Sequence, residues 1–193
     1  MRDVTPPNAG NKNDSSKFRD PIVELYHFVV NFLKHPIKNI AHLPMDWSWT
    51  RILGLLMAVS MLSGVLSGLI PPNFYRILGG LLVAPFMAFF LTSLMAVFIY
   101  YYFQIFEKRT LDFKQIYILI LFADIPFFLF QVASEILPPI TLVGFAFTAL
   151  LLAVGLTENF QLEKQKSLRL IGGLFLVVFL IWLWNLIEVR RLG

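Results

Sequence analysis

At 193 residues, with 58% hydrophobic and only 15% charged side chains, the chain is far from the composition of a soluble domain, where about 25% of residues are charged. No cysteine occurs, which excludes disulfides, thiolate metal sites and cysteine nucleophiles. The formal charge of +4 is expected from Lys and Arg retained in cytoplasmic loops, not from nucleic-acid binding, and the length leaves room for one membrane domain.

Residues 1–19 are polar and contain Pro6 and Pro7 among Asn, Ser and Lys. They bury too little to order themselves and are expected to form a disordered cytoplasmic tail. Residues 20–50 form a lead-in. Asp20 suits a helix N-cap, Pro21 the first helical position and Glu24 the first turn. Glu24, His27, Asn31, Lys34, His35 and Lys38 then recur at three- and four-residue steps and draw one polar stripe. About fifteen residues precede Pro36, a rise of roughly 22 Å, which is too short to span. The expectation is an amphipathic helix in the cytoplasmic interface, with Lys34 and Lys38 toward headgroups. Trp47 and Trp49 beside Arg51 have the composition of an interface anchor.

Five apolar runs follow, at 52–70, 77–106, 115–133, 138–156 and 170–187. Each has the ~18 or more residues that cross ~30 Å of hydrocarbon as a helix. The domain 51–193 is therefore expected to be an all-α bundle of five transmembrane helices, with the first span acting as its own insertion signal. In the first span Ser60, Gly64 and Gly68 stand at four-residue spacing, with Ser63 and Ser67 on the adjacent ridge, a pattern that admits a second helix closely. Pro71 and Pro72 close it. The second run is long for one crossing, and Gly79, Gly80 and Pro85 are expected to kink it or to leave its first turn in the interface.

The third run holds Asp124, the single residue in the five runs that is charged by default, with Pro126 two positions on. An ionised carboxylate there costs several kcal/mol, and no Lys or Arg lies in any run to offset it. It must be protonated, reach water, or bond to polar groups, of which Ser60, Ser63, Thr92, Ser93 and Thr148 stand at similar depth. Two readings stay open: a proton- or cation-handling site, and a neutral acid that fixes helix packing. No metal site is expected, because His27 and His35 are two helical turns apart and His42 lies beyond them. Nor do GxSxG, HExxH or GxxxxGK[ST] motifs occur, so no cofactor and no enzymatic activity is expected.

Lys and Arg divide unequally among the connections. Thirteen of the sixteen fall before the first span, between the second and third, or between the fourth and fifth, leaving Arg76, Arg190 and Arg191 for the other side. The positive-inside rule then places the N-terminus in the cytoplasm and the C-terminus outside.

Residues 139–178 read PITLVGFAFTALLLAVGLTENFQLEKQKSLRLIGGLFLVV. Gly155-Leu156, Glu158, Phe160, Leu162 and Lys166-Ser167 resemble the stretch between the fourth and fifth spans of the Yip1 domain family. Phe32 to Ile40, with Lys34, Pro36 and Lys38, is similar to that family's lead-in, and Pro126 to its mid-domain proline. The resemblance implies five spans and a cytoplasmic N-terminus. It is to bacterial-type members, since the Asp-Leu-Tyr-Gly-Pro motif of eukaryotic relatives that work with Rab-type GTPases is absent, the nearest stretch being Pro44-Met45-Asp46-Trp47. It carries no functional residue onto this chain. The function it implies is a non-enzymatic, membrane-organising or partner-binding component, adaptor-like, in a bacterial cytoplasmic membrane. Its partners are then the lipid bilayer and a protein or a second copy of the chain. The alternative is a small proton- or ion-coupled transporter or channel component that uses Asp124.

Overall fold

A computed structural model describes residues 21–192 apart from Pro71, with side chains described from Val23 to Trp184. The expectations for the tail 1–19, the Asp20 cap and Pro71 lie outside the described residues, as do the side chains of Asn185, Arg190 and Arg191. Among the described residues every regular element is a helix: α1 (Pro21–Lys34), α2 (Pro36–Asn39), α3 (Trp49–Leu69), α4 (Phe74–Ile105), α5 (Phe113–Ser134), α6 (Ile140–Phe160) and α7 (Lys164–Leu192). Five of them, α3 to α7, are long and apolar enough to cross a membrane, so the protein is an all-α, multi-pass membrane protein. The chain divides into two compact units, one ending at Lys34 and one beginning at His35.

The first unit holds α1, with Glu24 in its first turn and Lys34 in its last, both placed to suit the helix dipole. Tyr26 and His27 meet edge to face, their ring centroids 5.7 Å apart. In the second unit, α2 begins at Pro36, and His35 before it adopts φ −141°, ψ 63°, because the proline ring excludes the helical region from the residue it follows.

Side-chain caps set the starts of the next three helices. Ser48 Oγ accepts from Arg51 N at 3.5 Å, Asn73 Oδ1 from Tyr75 N at 2.9 Å and Arg76 N at 3.3 Å, and Asp112 Oδ1 from Lys114 N at 2.9 Å. Each helix runs past the apolar stretch that marks it in the sequence. α4 begins at Phe74, α6 continues through Thr157, Glu158 and Asn159 to Phe160, and α7 begins at Lys164. Backbone groups still need partners in the headgroup region, so the helices continue there with polar side chains. α4 is one helix of 32 residues with Pro85 inside it. α6 ends where Gln161 takes a left-handed conformation, φ 54°, with Leu162 N donating to Leu156 O at 3.2 Å.

α5 is the centre of the bundle. It packs on α3, α4 and α6, and residues 116–123 are buried on every face. α4 and α7 turn large apolar side chains outward, among them Phe86, Phe90, Leu176 and Ile181, which in a bilayer meet lipid. α3 and α4 approach at Gly64 and Gly80, where a Cβ added to Gly64 would lie 2.6 Å from the Gly80 Cα. Hydroxyls stitch the other seams. Ser63 Oγ donates to Phe128 O at 2.8 Å between α3 and α5, Thr148 Oγ1 to Ala123 O at 3.2 Å between α6 and α5, and Ser167 Oγ to Ala153 O at 2.8 Å between α7 and α6. Because the helices alternate in direction, the 35–48 segment, the α4–α5 connection and the α6–α7 connection share one end of the bundle. The α3–α4 and α5–α6 connections share the other.

Candidate functional site

The mid-span site is built on α5. Asp124 is half-buried, although Leu121, Phe122, Ala123 and Ile125 around it are buried. Tyr117 stands two turns earlier on the same helix face. Its buried hydroxyl lies beside Ser93 of α4 and within electrostatic reach of Asp124, yet makes no hydrogen bond of ordinary geometry. Thr148 bonds to the carbonyl of Ala123, the residue before Asp124. Thr92 is buried on α4, and Pro126 is buried within α5, which runs on past it to Ser134. Ser60 donates to its own helix, to Leu56 O at 2.7 Å and Met57 O at 3.1 Å. The hydroxyls at the depth of Asp124 thus go mainly to backbone carbonyls, while a phenol and a carboxyl share one face of α5. Seven residues apart, the two groups are separated by about 10 Å along the helix axis, too far for direct proton exchange.

The small residues of α3 face α4. Gly64 meets Gly80, and a Cβ on Gly68 would lie 2.7 Å from Ile77 N, while Ser60 sits buried one turn before Gly64. Of the interface candidates, Lys34 closes α1 and Lys38 is exposed on α2. The two tryptophans turn toward α5: the Trp47 ring lies 5.5 Å from Phe122, and Trp49 lies 5.4 Å from Tyr117 and 6.3 Å from Phe113.

A second constellation forms at the end that carries the 35–48 segment. Asn159, in the last turn of α6, donates from Nδ2 to Ile40 O at 2.8 Å and to Gly155 O at 3.0 Å. Ile40 is wholly buried, and it reaches α6 because Gly155 has no side chain: a Cβ there would collide with Leu119 and lie 3.3 Å from Ile40 Cγ1. Leu156, Phe160, Leu162 and Ser167 are buried in the same corner, with Phe160 6.1 Å from Phe103 of α4. Lys166 Nζ holds Glu107 in the α4–α5 connection at 2.9 and 3.2 Å. Around this corner Lys38, Arg51, Lys108, Arg109, Lys164 and Arg169 are exposed. Most of the residues that carry the family resemblance therefore build a structural corner, and the surface beside it carries more cations than acids, with Asp46, Asp112, Glu158 and Glu163 also exposed there. Sequence reasoning missed Asn159 and the Lys166–Glu107 pair. A pairing across 59 or 119 positions leaves no local signal. Among the described residues, no three His, Asp or Glu side chains come together as a metal site.

A family model described as the Yip1 domain matches residues 30–186. Neither the curated proteins nor the solved structures contain a match to this chain.

Proposed function

Because the chain belongs to the Yip1 domain family, we propose that it is a non-enzymatic membrane component that binds a protein partner through the cationic end of its bundle, in the manner of an adaptor. The observation that carries this reading is the corner just described. Asn159, Gly155, Ser167 and the Lys166–Glu107 pair tie three separate connections together, and six exposed cations stand on the segments they join. A docking surface gains from such pre-ordering, since connections already fixed cost less entropy on binding. The partner surface it complements is acidic. In this reading the cationic end faces the cytoplasm of a bacterial cell, the C-terminus lies outside, and α1 rests along the cytoplasmic interface with Lys34 toward headgroups.

Cross-linking in native membranes followed by affinity purification tests the proposal. The wild-type chain is expected to capture a stoichiometric partner that a Lys108→Glu, Arg109→Glu, Lys164→Glu variant loses while keeping its thermal stability. Recovery of the same partners by both forms would sink it.

A second reading, a proton- or ion-coupled transporter, is favoured by one observation only. The Tyr117 hydroxyl, buried beside Ser93 of α4, lies on the same face of α5 as Asp124. Proton flux into proteoliposomes that Asp124→Asn abolishes would establish this reading over the first.

A further inference from the structure

At the end opposite the cationic corner, α3, α4 and α5 line an open, groove-like cavity of about 360 Å³, within the size range of small-ligand sites. Its apolar wall is Val83 and Ala84 of α4. Its polar wall has three parts. Arg76, in the first turn of α4, pairs with Glu135 just past α5, Nη1 to Oε2 at 3.0 Å and Nη2 to Oε1 at 3.3 Å. Gln131 stands one turn before Glu135, its Oε1 3.5 Å from Ser63 Oγ. Ser67 lines the cavity from α3. It is 8% exposed, and its Oγ is buried without a hydrogen-bond partner.

We propose that this cavity binds the headgroup of a zwitterionic phospholipid with a primary ammonium, of the phosphatidylethanolamine class. The charges at the site select the ligand. A simple anion drawn to Arg76 meets Glu135 beside it, and a simple cation drawn to Glu135 meets Arg76. A ligand with both charges a few atoms apart satisfies both. The existing ion pair need not break, because a guanidinium has five N–H donors and a carboxylate about four lone-pair sites, and the pair uses two of each. The phosphate takes remaining Arg76 donors, and the ammonium donates to the free Glu135 lone pairs. A trimethylammonium has no N–H to give Glu135. The cavity's place at the ends of three spans, with an apolar wall running toward mid-membrane, puts headgroup atoms at one end and acyl chains at the other.

The glycines supply the test. Gly80 cannot accept a side chain, because its Cβ would strike the Gly64 backbone, whereas a Cβ at Gly79 meets nothing within 4 Å. Gly79→Leu therefore fills the cavity and leaves the α3–α4 seam alone. Full-length protein in detergent is titrated with short-chain phosphatidylethanolamine, phosphatidylcholine and phosphatidylglycerol, and binding is read by native mass spectrometry. Wild type is expected to bind the ethanolamine lipid about tenfold more tightly than either of the others. Gly79→Leu should lose about tenfold in that affinity with its melting temperature kept, and Glu135→Gln should lose the discrimination between the ethanolamine and glycerol lipids. Equal binding of the three lipids to wild type overturns the proposal, whatever the variants do. Glycerophosphoethanolamine, which has the same headgroup without chains, separates a lipid from a soluble ligand: weaker binding than the lipid supports the assignment to the bilayer, and equal binding refutes it.

Discussion

Gly64→Ala tests whether backbone contact between α3 and α4 is what holds this seam. The added methyl would lie 2.6 Å from both the Cα and the carbonyl oxygen of Gly80 and 2.9 Å from its carbonyl carbon. These are backbone atoms of a helix and cannot swing aside. Restoring ordinary contact of about 3.5–4 Å moves the two helices apart by about 1 Å, a gap that forfeits a quarter to a half of the dispersion well for each atom pair along the seam. Overpacking of this kind costs about 1–3 kcal/mol. Alanine returns up to ~1 kcal/mol through helix propensity. That return is shared by Gly79→Ala, where the new methyl meets nothing within 4 Å, so the difference between the two variants isolates the steric part. The expected gap is about 1–3 kcal/mol, with Gly64→Ala the less stable. Reversible unfolding in mixed micelles, by titrating a denaturing detergent and following helix content, measures it. If both alanine variants unfold at the same detergent fraction, the backbone approach contributes nothing and the reasoning fails.

Asp124→Asn keeps size and polarity and should leave stability within ~0.5 kcal/mol of wild type, while Asp124→Leu should cost on the order of 1 kcal/mol; the same unfolding titration reads both, and a more stable Leu variant contradicts a polar role for this position. Asn159→Ala removes the donor to two carbonyls, one of them on the wholly buried Ile40, and should destabilise by about 1–2 kcal/mol and loosen the 35–48 segment, seen as faster proteolysis there; unchanged proteolysis argues against the tie. For topology, the cysteine-free chain accepts single cysteines at exposed Gln165 and at Gly193. In sealed right-side-out vesicles an impermeant thiol reagent should label only the second. Ser167, though in the same first turn of α7 as Gln165, is wholly buried and bonded to Ala153, and its reactivity would report burial in place of sidedness.

The sequence by itself determined the number of spans and the oddity of one residue. A crossing is a one-dimensional requirement, enough apolar residues in a row to cover the hydrocarbon, and α3 to α7 all contain runs that meet it. Asp124 is legible for the same reason, since a carboxylate in such a run has no ordinary explanation. The break at Pro36 was legible in the sequence, whereas the side-chain caps at Ser48, Asn73 and Asp112 came from the structure. What only the tertiary structure decided is which faces meet. In water a buried helix face is marked by its hydropathy, but a bilayer is as apolar as a protein core, so the lipid-facing Phe86 and the wholly buried Phe122 look alike in sequence. The small residues of α3 announced a close approach without naming α4 as the neighbour or Gly80 as the point of contact. The Arg76–Glu135 pair, the burial of the Ser67 hydroxyl, and the bond from Asn159 to Ile40 each depend on elements far apart in the chain. Their meeting follows from how five cylinders pack, and packing in a membrane is settled by shape and a few polar bonds that leave no period in the sequence.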